Sequence, residues 1–241
     1  MYWPRFYKII LLLFMMVGAG SVTAEINDPL EPLNRGIFYF NQMATALYIK
    51  PVARTYDVVV PLPAKESVHN FISNVRTVHF TANNLLQGKI GPALNNVACF
   101  VINSTLGIFG LFDVTSALGM TVYPERLGNT FYKWGWKNSS YFVIPIIGPS
   151  TIRDGISLIG DYFMSPPAYF EPKWRNIYYA VDLIDIYQNN QDLQSVVIIA
   201  GVNDYDFVRT SYMQYREYTL SGKVVPTADS SGNDMLGEPP A

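Results

Sequence analysis

Proline and glycine cut most of this chain into short segments with helical spacing, and that punctuation limits the fold more than any other feature. Asp28 and Pro29 mark a helix start, with Glu31 placed to reach back to the Asp28 backbone. Ile37, Phe38, Phe40, Met43, Ala44 and Leu47 follow at roughly helical intervals, and Pro51 is expected to stop the helix. A short helix is expected around 52–58, ended by Pro61 and Pro63. Residues 64–75 place Val68, Phe71, Ile72 and Val75 on one face, and 77–87 form a further short helix ended by Gly88. Pro92 opens the most apolar of these segments, which runs to about Leu106 and keeps Asn95, Asn96 and Asn103 on a polar side. Gly107 and Gly110 break it. Further helices are expected at 111–118, 150–163, 172–186, 192–200 and 204–218, with a loop at 119–130. No repeat is visible, and strands have little to claim outside 131–147, so the class is mainly α.

Residues 131–149 differ in kind. Tyr132, Trp134, Trp136 and the run from Tyr141 to Ile147 crowd around Gly135, Asn138, Pro145 and Gly148, and helical periodicity is lost. The segment reads as a hairpin, a long apolar loop or an extended strand pair in the core. An apolar loop on the surface would mark an interaction site.

The first 24 residues have the three parts of an export signal: Arg5 and Lys8, the apolar run Ile9–Val17, and small residues at Val22 and Ala24 for cleavage. No second run of about twenty apolar residues follows, so the mature chain is not expected to cross a bilayer as helices. Residues 25–220 are expected to form one helical domain, and the polar stretch 221–241 a disordered tail. Only 15% of the residues are charged, against an average near ~25%. Hydrophobic residues reach 49% and aromatics 15%, a composition suited to a membrane interface or to an aromatic core. A net charge of -2 gives no basic footprint for nucleic acid. The single cysteine, Cys99, rules out an internal disulfide and reads as a small buried hydrophobe.

Enzyme chemistry finds little to build on. The only histidines, His69 and His79, lie in helical segments and read as partly exposed. Gly148 to Ile152 resembles a nucleophile elbow only in its glycine and serine. One Cys and two His make no zinc spacing, and no phosphate-binding or dinucleotide loop occurs. Asp182 and Asp185 share a helix face and read as solvated, and Arg153–Asp154 as a structural ion pair.

Four blocks in order resemble the MlaA/VacJ family, the outer-membrane component of a system that maintains lipid asymmetry. They are Asp28–Arg35 with Ile37–Asn41; Arg76–Gly88; Asn103–Asp113; and Arg126–Thr130 with Tyr141–Pro145 and Gly148–Asp154. The resemblance covers about residues 27–218 and implies a compact ring of helices in the inner leaflet of the outer membrane, with a central amphipathic channel and one apolar hairpin. It implies phospholipid as cargo, a trimeric porin and a soluble periplasmic lipid carrier as partners, and no cofactor, metal or catalysis. The lipid path is expected at Phe40, Asn41, Tyr141, Phe142, Ile144, Ile146 and Ile147, with Gly135 and Gly148 as hinges. The family is mostly lipidated on a cysteine just after the signal. Residues 18–27 contain none, so the chain is expected to be exported, unlipidated, and held by its folded body. The alternative is a soluble periplasmic binder of lipid or another hydrophobic ligand, without a channel.

Overall fold

A computed structural model describes residues 28–189 and 205–221. The expected export signal, the helix at 192–200 and the tail from 222 lie outside the described residues.

Helix α1, Glu31–Ala44, runs through a π-turn at Thr45–Ile49 into α2, Lys50–Val59. Pro51 therefore does not stop the helix, contrary to expectation. The π-turn, closed by a bond from Lys50 N to Thr45 O, widens the helix just before the proline. The missing N–H and the ring then fall where the regular ladder is already interrupted. The helix start also differs from expectation, because Asp28 makes no side-chain cap to α1. Its carboxylate instead accepts from Asn34 Nδ2 at 2.7 Å, from the Tyr205 hydroxyl and from Arg209 at 3.3 Å.

Helix α3 is one 25-residue element, Leu62–Leu86, where two helices were expected. Its buried face changes along its length from Ile72 and Val75 to Thr77, His79, Asn83 and Asn84. That change of partner interrupts the apolar period without ending the helix. The helix closes on Gly88 at φ 72, with Lys89 N bonded to Asn84 O. Helix α4, Ile90–Thr105, packs along α3, and the short α5, Val114–Ala117, is capped by Asp113. Helix α6, Leu127–Lys133, overlaps the expected loop. Its first N–H, that of Leu127, is capped by the buried carboxylate of Asp161 at 3.0 and 3.3 Å, a partner 34 residues away that local sequence does not reveal.

Strands β1, Tyr141–Ile144, and β2, Gly148–Thr151, pair antiparallel with Tyr141 opposite Thr151 and Ile144 opposite Gly148. Of the three sequence readings, the hairpin is correct, over a shorter span. Helices α7 (Ile152–Met164), α8 (Pro172–Asn189) and α9 (Tyr205–Ser221) follow. The chain is mainly helical, as expected.

Two small apolar cores exist among the described residues. One joins Phe38, Tyr141, Val143 and Tyr205; the other joins Ile72, Val75 and Tyr178. Elsewhere the helices are inverted. On α4 the exposed stripe is Ile90, Leu94, Val97 and Val101, and the buried stripe is Ala93, Asn96, Cys99 and Asn103. On α7 Ile156, Ile159 and Phe163 face out, while Arg153, Ser157 and Asp161 are buried. A helix on a water-soluble domain shows the opposite arrangement.

Candidate functional site

A half-open pocket of about 340 Å³, lined mainly by polar residues, lies between α3 and the segment around α5, with Asn103 as the contribution of α4. Helix α3 supplies His69, Asn70, Ser73, Asn74, Arg76, Thr77 and Phe80. The opposite wall comes from Asn103 at the end of α4, from Asp113, Thr115 and Ser116 around α5, and from residues 120–122 and 124.

Asparagines build that second wall. Asn103 donates to Asp113 Oδ1 at 3.1 Å and to Thr115 Oγ1 at 3.0 Å, and accepts from Thr115 N at 3.0 Å. Asn96 grips Tyr123 at both its N–H (2.8 Å) and its carbonyl (2.9 Å), and Asn84 reaches the same carbonyl at 3.0 Å. Each amide replaces the strand or helix partner that loop backbone would otherwise lack. The polar side of α4 therefore holds the loop at 121–123, and only Asn103 of it lines the cavity.

Charge enters from α8. Arg76 pairs with Asp182 and lies 3.7 Å from Asp185, while His69 Nδ1 is 2.9 Å from Asp185 Oδ1. The bond to Asp185 raises the His69 pKa. His79 is buried, where the sequence suggested partial exposure; burial, with Arg126 and Arg76 nearby, pushes its pKa down to about 4. Asp113 feels burial pushing its pKa up, but bonds from Ser116, Thr115 and Asn103 outweigh this and hold it below the usual carboxylate range. Asp182 and Asp185 are thus buried or half-buried partners of cations, not a solvated pair.

Beside the cavity, residues 106–112 form a strained turn. Ile108, Phe109 and Gly110 have φ of 51, 57 and 87 in succession. A Cβ on Gly107 would meet Phe112 O at 2.2 Å, and one on Gly110 would meet Asn74 Nδ2 at 2.6 Å. The turn leaves Ile108, Phe109 and Phe112 exposed.

The lipid-path residues named from sequence lie elsewhere, and none lines this cavity. Tyr141 is fully buried in the aromatic core. Phe142 and Ile144 are half-buried and face Gly155 of α7. Ile146 and Ile147 stand exposed at the hairpin tip, and Phe40 is exposed on α1. Asn41 is a clamp: it donates to Ile144 O at 2.9 Å and accepts from Ile146 N at 2.7 Å. Two turns earlier, Asn34 holds Tyr141 O at 3.2 Å and Val143 N at 2.9 Å. Ile146 has φ 68, and Ile147 N bonds Pro145 O at 2.8 Å, a tight γ-turn that is costly for a β-branched residue. Gly148 follows at φ 105; Gly135, at φ 117, lies after α6 and outside the hairpin. Arg153 is buried and donates to the carbonyls of Trp136 and Lys137, while Asp154 holds Arg216 through two bonds of 2.6 and 2.7 Å. Both residues are structural, as expected, but Asp154's principal partner is on α9.

The model of the MlaA lipoprotein family matches residues 26–219. The chain belongs to that family. Its relatives include an uncharacterized protein of Rickettsia bellii, 31% identical over 81% of this chain and 78% of that one. The intermembrane phospholipid transport system lipoprotein MlaA of Escherichia coli K12 is 28% identical over 88% of this chain and 85% of its own. A chain solved in work on the structural basis for maintenance of bacterial outer membrane lipid asymmetry superposes with a TM-score of 0.69 at 26% identity, covering 80% of this chain and 98% of that one. In this MlaA family member no described helix is long and apolar enough to cross a membrane, and the described residues hold no metal-ligand cluster.

The cavity residues that sequence reading missed, His69, Asn74, Arg76 and Asp113 among them, left one usable signal. Asparagines recur inside apolar helices at helical spacing, where a polar group is tolerated only if it is bonded.

Proposed function

We propose that this chain transports phospholipid between membranes from a seat in the outer membrane. It takes mislocalised phospholipid from the outer leaflet and passes it to a soluble periplasmic carrier, so that lipid asymmetry is maintained. The observation that carries this reading is the inverted polarity: large apolar side chains face out from α1, α4 and α7, while amides and charges surround a cavity. A phospholipid needs a polar lane for its headgroup beside apolar surface for its tails, and this arrangement supplies both. The lane runs through a ring of helices in the inner leaflet, with a trimeric porin as the protein neighbour. The exposed apolar faces hold the body there without a lipid anchor. Ile146 and Ile147 touch lipid at the hairpin tip, Phe40, Phe142 and Ile144 flank it, Asn41 latches it, and Gly135 and Gly148 let it move. No covalent chemistry is required of any residue.

The test is a strain lacking the gene, with outer-leaflet phospholipid measured by its access to added phospholipase. Accessible phospholipid should rise, and wild-type protein should lower it again. A Ser73→Trp variant that fills the cavity should stay membrane-bound and fail to restore asymmetry. Normal asymmetry in the deletion strain, or full rescue by Ser73→Trp, would overturn the reading. Carbonate washing separates the alternative of a soluble lipid binder, which would leave the membrane.

A further inference from the structure

Resting on the membrane seat proposed above, we infer that the aromatic and basic platform at the end of α6, residues 131–137, meets the headgroup layer of the bilayer and binds anionic phospholipid there. Three observations converge. First, charge is segregated along the chain. Residues 126–153 carry four cations, Arg126, Lys133, Lys137 and Arg153, and no acidic residue. Arg153 is buried and Arg126 caps the opposite end of α6, which leaves Lys133 and Lys137 exposed on the platform. Lys133 Nζ donates to Gln87 O at 2.9 Å, and the Lys137 ammonium sits 3.9 Å from the centre of the Tyr132 ring. Among the described residues neither lysine pairs with a carboxylate, so both keep N–H groups for a phosphate. The neighbouring acids are engaged elsewhere: Glu125 by Lys89, Gln87 and Asn129, and Asp154 by Arg216.

Second, the aromatic rings have the character of a boundary layer. Trp134 is 60% exposed, yet its indole N–H is fixed by a bond to Leu86 O at 3.1 Å. Phe131 lies 6.1 Å from Trp134 and 6.0 Å from Trp136, centre to centre, and backs both rings. Exposed tryptophan beside lysine suits the level where headgroups meet acyl chains, because each side chain has an apolar body and a polar tip.

Third, the platform borders apolar surface. The bond to Leu86 sets Trp134 over the turn from α3 to α4, where Leu85, Leu86 and Ile90 are exposed. Ile90 begins the outward stripe of α4, and residues 90–112 contain no charged side chain. The surface thus passes from lysine and tryptophan to uncharged aliphatic groups, the order in which a bilayer passes from headgroup to chain. A zwitterionic layer gives the two lysines no net attraction, whereas an anionic one complements them. The other exposed lysine–tryptophan pair, Lys173 and Trp174, has the exposed Glu171 in the same turn, which offsets part of its charge.

The experiment purifies the full chain from membranes in mild detergent and dilutes it into vesicles of phosphatidylcholine, alone or with about one third phosphatidylglycerol. The readout is the lipid concentration that floats half of the protein. At low salt phosphatidylglycerol should strengthen binding about 25-fold, about fivefold for each lysine, and high salt should remove most of that gain. Lys133→Gln and Lys137→Gln should each cut the gain about fivefold, while Lys173→Gln leaves it in place. The double variant Lys133→Arg with Lys137→Arg keeps the charge and should keep the gain, which separates lost charge from a lost fold. Trp134→Ala should weaken binding to both kinds of vesicle alike. No gain from phosphatidylglycerol, a gain that survives loss of both lysines, or an equal loss in Lys173→Gln overturns the anionic contact and leaves the membrane seat standing. Failure to float with either kind of vesicle overturns the seat and the contact together.

Discussion

The corner formed by α1, the hairpin and α9 and the cavity formed by α3, α4 and α5 use the same device to opposite ends. Both hold irregular backbone with asparagine side chains. In the corner, Asn34 and Asn41 clamp β1 and the hairpin tip against an aromatic core of Phe38, Tyr141 and Tyr205. Beside the cavity, Asn84 and Asn96 clamp Tyr123 and Asn103 clamps Thr115, in a segment whose residues 120–122 and 124 line open space. Where apolar packing lies behind the amide, the clamp secures a strained turn. Where a cavity lies beside it, the clamp holds the loop that forms one wall of that space. The contrast teaches that buried amides in this fold are not one population: some secure a packed turn and some shape the wall of a cavity.

The contrast breaks first at Asn34. Asn34→Leu leaves Tyr141 O and Val143 N without their side-chain partner in a buried site, and removes a partner of Asp28. A loss of about 3 kcal/mol is expected, read by denaturant unfolding in detergent. A loss below about 1 kcal/mol would place this clamp with the cavity amides.

The next effect is acidification, which acts through the two histidines of α3. His79 has a folded-state pKa near 4, below its unfolded value, so the unfolded chain binds more protons between those values. Stability should therefore fall by about 2 kcal/mol as pH drops from 7 to 5. His69 works the other way: its raised pKa adds stability below the folded value, weakly because the ring is half-exposed. Unfolding midpoints against pH should flatten in His79→Gln and steepen in His69→Gln.

Asn103→Leu tests the cavity clamp directly. Water in the cavity can replace part of what the amide provided, so the expected loss is about 1 kcal/mol, smaller than for Asn34→Leu, with a larger effect on lipid transport. The smallest effect belongs to the hairpin tip. Ile146→Gly relieves a left-handed residue and should stabilise by about 0.5–1 kcal/mol, while Asn41→Ala should speed hydrogen exchange at Ile146 and Ile147 without unfolding the domain.

The two regions also differed in how far sequence revealed them. The helical class, the helix at 90–105 and the hairpin were legible because each rests on local period and punctuation. Helix α6 was not, because its cap is Asp161 from α7. Pro51 misled because a π-turn absorbs it, and α3 was read as two because its inner face turns from apolar to polar partway along. The opening block was legible as a helix start, but the role of Asp28 as a tie to Tyr205 and Arg209 depends on contacts 177 and 181 residues distant. The cavity was the least legible. Asn74 and Arg76 come from one helix and Asp113 from a loop, and only the fold brings them to one space. Aromatic crowding drew attention to the hairpin instead, where Tyr141 is core.

The most direct test of the inverted interior is site-specific photo-crosslinking in outer membranes, with the probe placed at Ser73 or Thr121 in the cavity, at Val97 on the outer face of α4, and at Tyr141 in the core. Intact phospholipid adducts are expected at Ser73 and Thr121 as well as at Val97, with none at Tyr141. Adducts confined to Val97 would contradict a lipid lane through the polar cavity.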